Sequence, residues 1–392
     1  MVWRRQAGQW RTEAWRAGWW RGWLDGLLML AACSPVAAAG ACTVSAAWTG
    51  FRDSLVSDDG RVIDPSSPAR ITTSEGQSYG LFLALVAGER DTFERLLRWT
   101  QNNLAGGDLS RQLPAWLWGR RDDGEWGVLD ANPASDADLW IAYALIEAGR
   151  LWDRPDYTGL GRALAELILA RETAVLPGFG RMMLPGPVGF RPAADRWRLN
   201  PSYLPVQLFR GLATRLGDEA WHELAERSAD LLIRTAPHGF APDWVIYSPG
   251  KGFLPDPETR GQGSYNAIRV YLWVALMSPS DPRTAALRAA YAPMRAHVLR
   301  ELAVPEVVDA GSGQVLSADG PVGFAHAVLP LLDIQPGDAR ARRIAGIYRA
   351  HVAGRPVDGY YNQMLQLFSQ FWLEGRYRFA ADGGLLLSQE CS

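Results

Sequence analysis

The chain has 392 residues, 48% of them hydrophobic and 21% charged, which is enough for one large or two ordinary domains with a buried core and excludes a predominantly disordered chain. Its 40 Lys and Arg residues nearly balance 42 Asp and Glu residues, so the net charge is −2. That balance argues against a protein that binds nucleic acid.

The first 39 residues have the features of a secretory signal peptide. Five Arg residues come before the apolar stretch 27–39, which ends in three Ala residues. This stretch is short and contains a Pro, so it is not expected to span a bilayer. We predict cleavage near Ala39 and a periplasmic or secreted mature domain, residues 40–392, without a transmembrane segment. The alternative is a lipoprotein cleavage box, Leu30-Ala31-Ala32-Cys33, which would leave a lipidated Cys33.

Cleavage after Ala39 removes five basic and two acidic residues, which leaves 35 Lys and Arg against 40 Asp and Glu and a net charge near −5. Cys42 and Cys391 then remain at opposite ends of the chain. In an oxidising compartment they are natural disulfide partners, with two free thiols as the alternative. The five His residues have no metal-ligand spacing, so we predict no metal and no cofactor.

Helical periodicity dominates the mature chain, which predicts an all-α protein. Asp91-Thr92-Phe93-Glu94 resembles a capping box, and Gly149 a helix C-cap. The predicted helices lie near 44–57, 78–88, 91–104, 136–149, 158–171, 202–216, 218–235, 265–277, 281–301, 322–333, 338–352 and 360–374.

Short turns join many of these twelve helices in pairs, as expected for antiparallel neighbours. The pattern predicts a single domain formed by a closed ring of helical hairpins, with six inner and six outer helices. The longer segments 105–135, 172–201 and 236–264 are rich in Gly, Pro and aromatic residues. They are predicted to form the rim of the ring, where functional residues usually lie.

One motif places a single carboxylate at the beginning of an apolar helix. In Thr73-Ser74-Glu75-Gly76-Gln77-Ser78-Tyr79-Gly80, Glu75 stands among small and amide residues immediately before the run 81–86. Partial desolvation in such a position raises the pKa of a carboxyl group. Glu75 is therefore a candidate general acid.

A second motif, Ala134-Ser135-Asp136-Ala137-Asp138, introduces an unusually apolar helix. Capping by Ser135 or Asp136 and the helix dipole would account for one acid there. Two acids are more than a cap requires. We expect an inner helix whose N-terminus faces a cleft, with one of the two acids facing a ligand.

Eighteen Trp residues are many for this length, and several lie in segments without helical periodicity. Indole faces stack on flat, CH-rich ligands such as sugar rings. We predict that Trp116 and Trp118, in Pro114-Ala115-Trp116-Leu117-Trp118, line a sugar-binding groove. Packing in the core is the alternative.

The two acidic motifs resemble the signature regions of glycoside hydrolase family 8, and the second match continues from Ala148 to Trp152. Other segments resemble the periplasmic endoglucanases of this family that bacterial cellulose-synthesis operons encode. The resemblance extends from Cys42 to Cys391. These other segments are Gly60-Arg61-Val62-Ile63-Asp64-Pro65, Trp99-Thr100-Gln101-Asn102-Asn103-Leu104, Leu113-Pro114-Ala115-Trp116-Leu117-Trp118-Gly119, Asn200-Pro201-Ser202-Tyr203-Leu204-Pro205 and Pro242-Asp243-Trp244-Val245.

The resemblance implies an (α/α)6 barrel with β-containing rim loops, and hydrolysis of β-1,4-glucan (cellulose) with inversion. It further implies a role in cellulose biosynthesis and export, with the cellulose synthase export machinery as a possible partner. Glu75 matches the family's proton donor. Asp136 matches the acid that holds the distorted sugar at the cleavage point. Chitosan and xylan, which other members of the family hydrolyse, are alternative substrates.

The family's general base belongs to the motif Ser-Tyr-Asp-Ala-Ile-Arg-Val-Tyr, but here Asn266 replaces the Asp. An amide orients water without deprotonating it, and the loss of a positioned base costs about 10²–10⁴ in rate. Four interpretations follow: a base supplied by Asp136, Asp138 or Asp243, a slow hydrolase, a glucan-binding protein without turnover, or an introduced substitution at Asn266. We favour a hydrolase with a relocated or weakened base.

Four further residues near these motifs are predicted to bind substrate. Tyr203 and Tyr265 are expected to contact the sugar at the cleavage point. Arg269, one turn after Asn266, is placed to orient the amide or a neighbouring carboxylate. Asp243 is the fourth. Packing within the ring is the alternative for each.

Overall fold

The computed structural model describes residues 45–333 and 339–388. These ranges contain thirteen α-helices, one more than the sequence predicts, because 281–301 is divided into two. Pro293 lies in the first turn of the second helix and lacks the N–H that would continue the first. The helices are α1 (Ala46–Leu55), α2 (Ser74–Val86), α3 (Arg90–Leu104), α4 (Ser135–Leu151), α5 (Pro155–Arg171), α6 (Val206–Leu216), α7 (Glu219–Arg234), α8 (Ile268–Leu276), α9 (Thr284–Ala290), α10 (Ala292–Glu301), α11 (Val322–Asp333), α12 (Ala339–Ala353) and α13 (Tyr360–Leu373).

Six helices form an inner ring. Helix α2 packs on α4, α4 on α6, α8 on α11, α11 on α13, and α13 on α2. Between α6 and α8, Gln207 Nε2 donates to the Trp273 carbonyl at 3.3 Å. Each inner helix has an outer partner: α3, α5, α7, the α9–α10 pair, α12 and α1. The predicted (α/α)6 barrel is confirmed.

Burial explains which helices lie inside. Every residue of α2 and of α8 is buried, as expected for helices covered on all sides. The outer helix α3 instead buries one stripe, which includes Phe93, Leu96 and Leu104. Aromatic rings fill the middle of the ring, where Phe82 stacks on Phe368 with centroids 5.4 Å apart. Trp140, in the same cluster, is a fully buried core residue.

Short antiparallel strands occupy the three predicted rim segments, and others lie outside them at 72–73, 307–317 and 377–387. The sheets run in the orders β1–β2–β3, β6–β7–β8 and β11–β10–β9, with two separate hairpins, β4–β5 and β12–β13. The strands are β1 (Thr72–Thr73), β2 (Leu117–Arg120), β3 (Trp126–Asp130), β4 (Thr173–Leu176), β5 (Gly180–Met183), β6 (Trp197–Leu199), β7 (Val245–Ser248), β8 (Gly252–Pro255), β9 (Gln262–Gly263), β10 (Val307–Asp309), β11 (Val315–Ser317), β12 (Tyr377–Phe379) and β13 (Leu385–Leu387).

Two local predictions are wrong. Helix α3 begins at Arg90 without a side-chain cap, so Asp91-Thr92-Phe93-Glu94 already lies within the helix and forms no capping box. Helix α4 continues past Gly149 to Leu151. Gly149 is required for close packing instead, because a Cβ there would lie 2.1 Å from Thr158 Oγ1 of α5.

Several predictions fall on residues outside the described ranges. These are the signal peptide, the possible lipidation of Cys33 and the disulfide between Cys42 and Cys391. They remain predictions. No helix within 45–333 or 339–388 is both long and apolar enough to cross a bilayer.

Candidate active site

Three inner helices direct their N-termini to one place on the rim. Glu75, Asp136 and Arg269 are the second residues of α2, α4 and α8. Helix α2 begins where it does because Thr73, its N-cap, accepts a hydrogen bond from the Gly76 N–H at 3.1 Å. The ring architecture therefore brings together three charged side chains that are up to 194 positions apart in the sequence.

Glu75 is a buried carboxyl group with a raised pKa. Its side chain is only 6% exposed, and Oε2 is enclosed whereas Oε1 is not. Burial is the main cause that raises its pKa to about 8, and the nearby charge of Asp136 adds to the shift. Glu75 is accordingly protonated at neutral pH, as a general acid must be.

Asp136 lies beside Glu75 and is 1% exposed. Burial raises its pKa to about 6, and the shift is limited first by the positive charge of Arg269. Its Oδ1 accepts the Ala137 N–H at 2.9 Å. The cap of α4 is Ala134, so neither Ser135 nor Asp136 is the side-chain cap that the alternative interpretation required.

Arg269 connects this carboxylate to the position where a base was expected. Its guanidinium lies 3.8 Å from Asp136 Oδ2 and donates to Ser202 Oγ at 2.8 Å and Asn266 Oδ1 at 3.1 Å. Asn266 Oδ1 also accepts from Asn200 Nδ2 at 3.0 Å. The amide oxygen of Asn266 is thus held by two donors.

Asp243 lies directly beside Asn266. Its Oδ1 accepts three backbone N–H groups, from Ser264 (2.8 Å), Asn266 (3.0 Å) and Ala267 (2.8 Å). Burial raises the pKa of Asp243, while these three N–H donors and then Arg269 lower it. The segment that leads into α8 is therefore fixed to this carboxylate.

Aromatic side chains flank the carboxyl groups on the β1–β2–β3 side. Trp116 is close enough to Glu75 that its indole slightly lowers the pKa of that carboxyl. Trp118 stacks on Trp126 at 5.3 Å, and the Arg61 guanidinium lies 4.3 Å from the Trp118 ring centroid. Trp126 is 45% exposed, so this rigid stack presents an open indole surface.

The opposite flank combines the predicted Tyr203 with Trp244 and Phe190, which the sequence did not single out as binding residues. Trp244, next to Asp243, stacks on Phe190 at 5.9 Å with only 4° between the rings. Tyr203 lies 6.4 Å from Trp244, and Arg198 packs 4.3 Å from the Trp244 ring centroid. The sequence signal for this flank was the motif Pro242-Asp243-Trp244-Val245. No feature of the neighbouring sequence predicts that Trp244 contacts Phe190.

Tyr265 is already engaged by protein groups. Its hydroxyl donates to Glu306 Oε1 at 3.3 Å, and its ring packs edge-on against Phe324 at 5.0 Å. Tyr361 donates a hydrogen bond to its backbone carbonyl. These contacts favour a packing role, and sugar binding by Tyr265 remains a prediction.

The site therefore combines a carboxyl group that is neutral at pH 7 with an ionised carboxylate, between aromatic surfaces that suit sugar rings. A protonated and an ionised carboxyl on either side of a glycosidic bond is the arrangement that hydrolyses glycosides. In the described residues, no group of three or more His, Cys, Asp and Glu side chains is arranged to hold a metal ion.

Comparison with known proteins agrees with this chemistry. The family model "Glycosyl hydrolases family 8" matches residues 20–375. The chain belongs to glycosyl hydrolases family 8. It is 47% identical to an endoglucanase of Escherichia coli strain K12 over 371 residues, 93% of this chain and 96% of that protein. It is 44% identical to an endoglucanase of Xanthomonas axonopodis pv. citri, over 93% and 94% of the two chains.

Among solved structures, this family 8 hydrolase is similar to an endo-1,4-D-glucanase from Vibrio fischeri ES114. The TM-score is 0.82 at 43% identity, and the match covers 87% of this chain and 98% of that one. The protein is thus a glycoside hydrolase on an (α/α)6 barrel.

Behind Asp136 lies a second pair of carboxyl groups, Asp138 and Glu172, both with 0% exposure. No N–H or hydroxyl of the described residues donates to any of their four oxygens. The two carboxyls lie close enough that the charge of Glu172 is, after burial, the next cause that raises the pKa of Asp138. Burial is the first cause that raises both pKa values well above the ordinary range.

This pair makes folding stability fall as pH rises. In the unfolded chain both groups ionise near their ordinary pKa values, 3.8 and 4.5, while burial in the folded chain raises both pKa values well above these. Above about pH 4.5 the free energy of unfolding should therefore fall by about 1.4 kcal/mol per pH unit for each retained proton. Urea unfolding between pH 5 and 8 should show a shallower decline for Glu172→Gln than for wild type. Exposed Glu166→Gln is the control, and equal slopes for all three proteins would contradict the raised pKa values of the buried pair.

Proposed function

We propose that this hydrolase is an endo-β-1,4-glucanase that cleaves cellulose-type glucan with inversion at the anomeric carbon. The observation that carries the proposal is the buried, protonated Glu75 beside the Asp136–Arg269 ion pair, between two aromatic flanks. The endoglucanase relatives from Escherichia coli and Xanthomonas and the Vibrio endo-1,4-D-glucanase support this choice of substrate.

In the proposed reaction Glu75 donates its proton to the glycosidic oxygen as the bond to the anomeric carbon breaks. Ionised Asp136 stabilises the positive charge that develops on the sugar. This stabilisation is stronger because Asp136 is buried, where water does not screen its charge. Arg269 keeps Asp136 ionised by lowering its pKa. Indole and phenyl faces on the two flanks bind the CH faces of successive glucose units.

The proposed cellular role is cellulose biosynthesis or export. It rests on the resemblance of the rim segments to the endoglucanases of cellulose-synthesis operons and on the N-terminal segment 1–39. Export by that segment would place the enzyme in the periplasm or outside the cell, with lipidation at Cys33 as the alternative. Contact with the cellulose synthase export machinery belongs to the same proposal.

One observation favours a second candidate function. Asn266 stands at the position of the general base in the family motif that this chain resembles. Its amide oxygen already accepts hydrogen bonds from two donors. A protein with an intact groove and no efficient base would bind glucan and turn it over slowly. Hydrolysis of chitosan or xylan is a further alternative, and it requires the same site.

Incubation with carboxymethyl-cellulose, chitosan and xylan distinguishes these functions. We expect a rapid loss of viscosity together with new reducing ends on carboxymethyl-cellulose, and slower release from the other two polymers. Proton NMR should detect the α-anomer first, because inversion at a β-linkage gives that anomer before mutarotation. Faster release from chitosan or xylan would contradict the substrate. Saturable cello-oligosaccharide binding without products would instead identify a glucan-binding protein.

A further inference from the structure

Asp243 combines a firmly anchored oxygen with an open one. Three backbone N–H groups at the beginning of α8 fix Oδ1. Oδ2 accepts no hydrogen bond from the described part of the chain and is not among its enclosed polar atoms. This carboxylate therefore has a fixed orientation and one oxygen that can accept a proton from water.

Asp136 lacks such an oxygen. Its Oδ1 accepts the Ala137 N–H, and its Oδ2 is enclosed and faces Arg269 at 3.8 Å. A carboxylate so enclosed, and paired with a guanidinium, is suited to stabilise charge. At 1% exposure, it presents no open oxygen to a nucleophilic water.

Asn266 lies between these two carboxylates. Its backbone N–H donates to Asp243, and its amide oxygen is fixed by Arg269 and Asn200. With the amide oxygen so held, the NH₂ group of Asn266 donates to no described residue and can donate to a water molecule. The neighbouring Trp244 belongs to one aromatic flank, which places Asp243 beside the proposed path of the glucan chain.

We propose that Asp243 is the general base of this hydrolase and that Asn266 positions the water that Asp243 deprotonates. The assignment rests on the proposed function. Water attacks the anomeric carbon, its proton passes to Asp243 Oδ2, the bond to the leaving oxygen breaks, and that oxygen takes the proton of Glu75. Protons and electron pairs balance without a co-reactant, and the product is inverted.

The electrostatics agree with this division of roles. Burial raises the pKa of Asp243, which increases the basicity of the carboxylate, while the three N–H donors and then Arg269 favour its ionised form and oppose that rise. The sequence motif lacks a base at position 266. In this assignment Asp243 of the neighbouring rim segment supplies it, because its backbone contacts hold it beside Asn266.

Asp243→Asn should reduce kcat on cello-oligosaccharides by about 10²–10⁴-fold with little change in KM. The amide oxygen of Asn can still accept the three N–H groups, so the segment before α8 should stay in place. Asp218→Asn is the matched control: Asp218 caps α7 through the Ala220 N–H, and Asn caps equally well. Its activity should equal that of wild type.

Two further measurements separate a base from a structural residue. Azide needs no deprotonation, so it should restore turnover of Asp243→Ser and form an inverted glycosyl azide. Adding Asn266→Asp to Asp243→Asn should also restore activity, because a carboxylate then stands beside the same water.

Several results would overturn the assignment. If Asp243→Asn keeps an activity close to that of wild type, Asp243 is not the general base, and the proposed function is unaffected. Loss of activity that neither azide nor Asn266→Asp relieves would make Asp243 a purely structural residue. Rescue of Asp136→Asn by azide would make Asp136 the base. A wild-type chain without any glucan hydrolysis would contradict the proposed function itself.

Discussion

Glu75→Gln is expected to reduce turnover of unactivated glucan by about 10²–10⁴-fold, equivalent to roughly 3–5 kcal/mol of activation free energy. Gln keeps the size of the side chain and its place at the second position of α2, but it has no proton to donate to the leaving oxygen. Reducing ends released from carboxymethyl-cellulose measure the effect. Binding of cello-oligosaccharides should be unchanged.

A substrate that needs no acid tests whether the lost group is the proton donor. Aryl cello-oligosaccharides with an acidic phenol leave without protonation, so Glu75→Gln should retain most of its activity on them. Glu94→Gln, on the outer helix α3, is the control and should behave as wild type on both substrates. Equal loss on both kinds of substrate would show that Glu75 has a structural role, and equal product from wild type and Glu75→Gln would exclude it from the reaction.

Arg269→Leu is expected to change both stability and the pH dependence of hydrolysis. Arg269 is 5% exposed, and its removal leaves the buried Asp136 carboxylate without its counterion. Breaking a buried pair in this way costs about 3–5 kcal/mol. Wild-type kcat/KM should rise as the interacting carboxyls ionise near pH 6 and fall as the proton is lost near pH 8.

Arg269 lowers the pKa of both Asp136 and Glu75, so both limbs of the profile should move to higher pH in Arg269→Leu. Profiles of kcat/KM between pH 4 and 10 measure this shift. Arg288→Leu removes another buried Arg, which donates to carbonyls at the end of α8 and should affect stability alone. Arg269→Lys should partly restore the wild-type pH dependence of kcat/KM, because Lys keeps the positive charge. Limbs that stay at wild-type positions in Arg269→Leu would contradict the electrostatic role of Arg269.

The helical ring could be predicted because its signals are local. Apolar spacing and short turns identified twelve helical segments, and only 281–301 needed division. Helix ends were less predictable. Whether Gly149 ends α4 depends on how closely α5 approaches it, and no residue near Gly149 in the sequence encodes that distance.

The candidate site was only partly predictable. Glu75 and Asp136 were recognisable because each precedes an apolar run within its own motif. Trp244 and Phe190 are 54 positions apart, and only the packing of the rim makes them stack. Asp138 and Glu172 likewise become a pair only when α4 and α5 form a hairpin.

The sequence by itself determined the family and the helical class, and it predicted Glu75 as the proton donor, because these depend on motifs in which neighbouring residues suffice. It also showed that Asn266 has no basicity. Only the tertiary structure decided which carboxylate could replace the base. That choice depends on which oxygen is enclosed, which is anchored and which meets solvent, and these properties arise when α4, α8 and the rim segment of Asp243 converge.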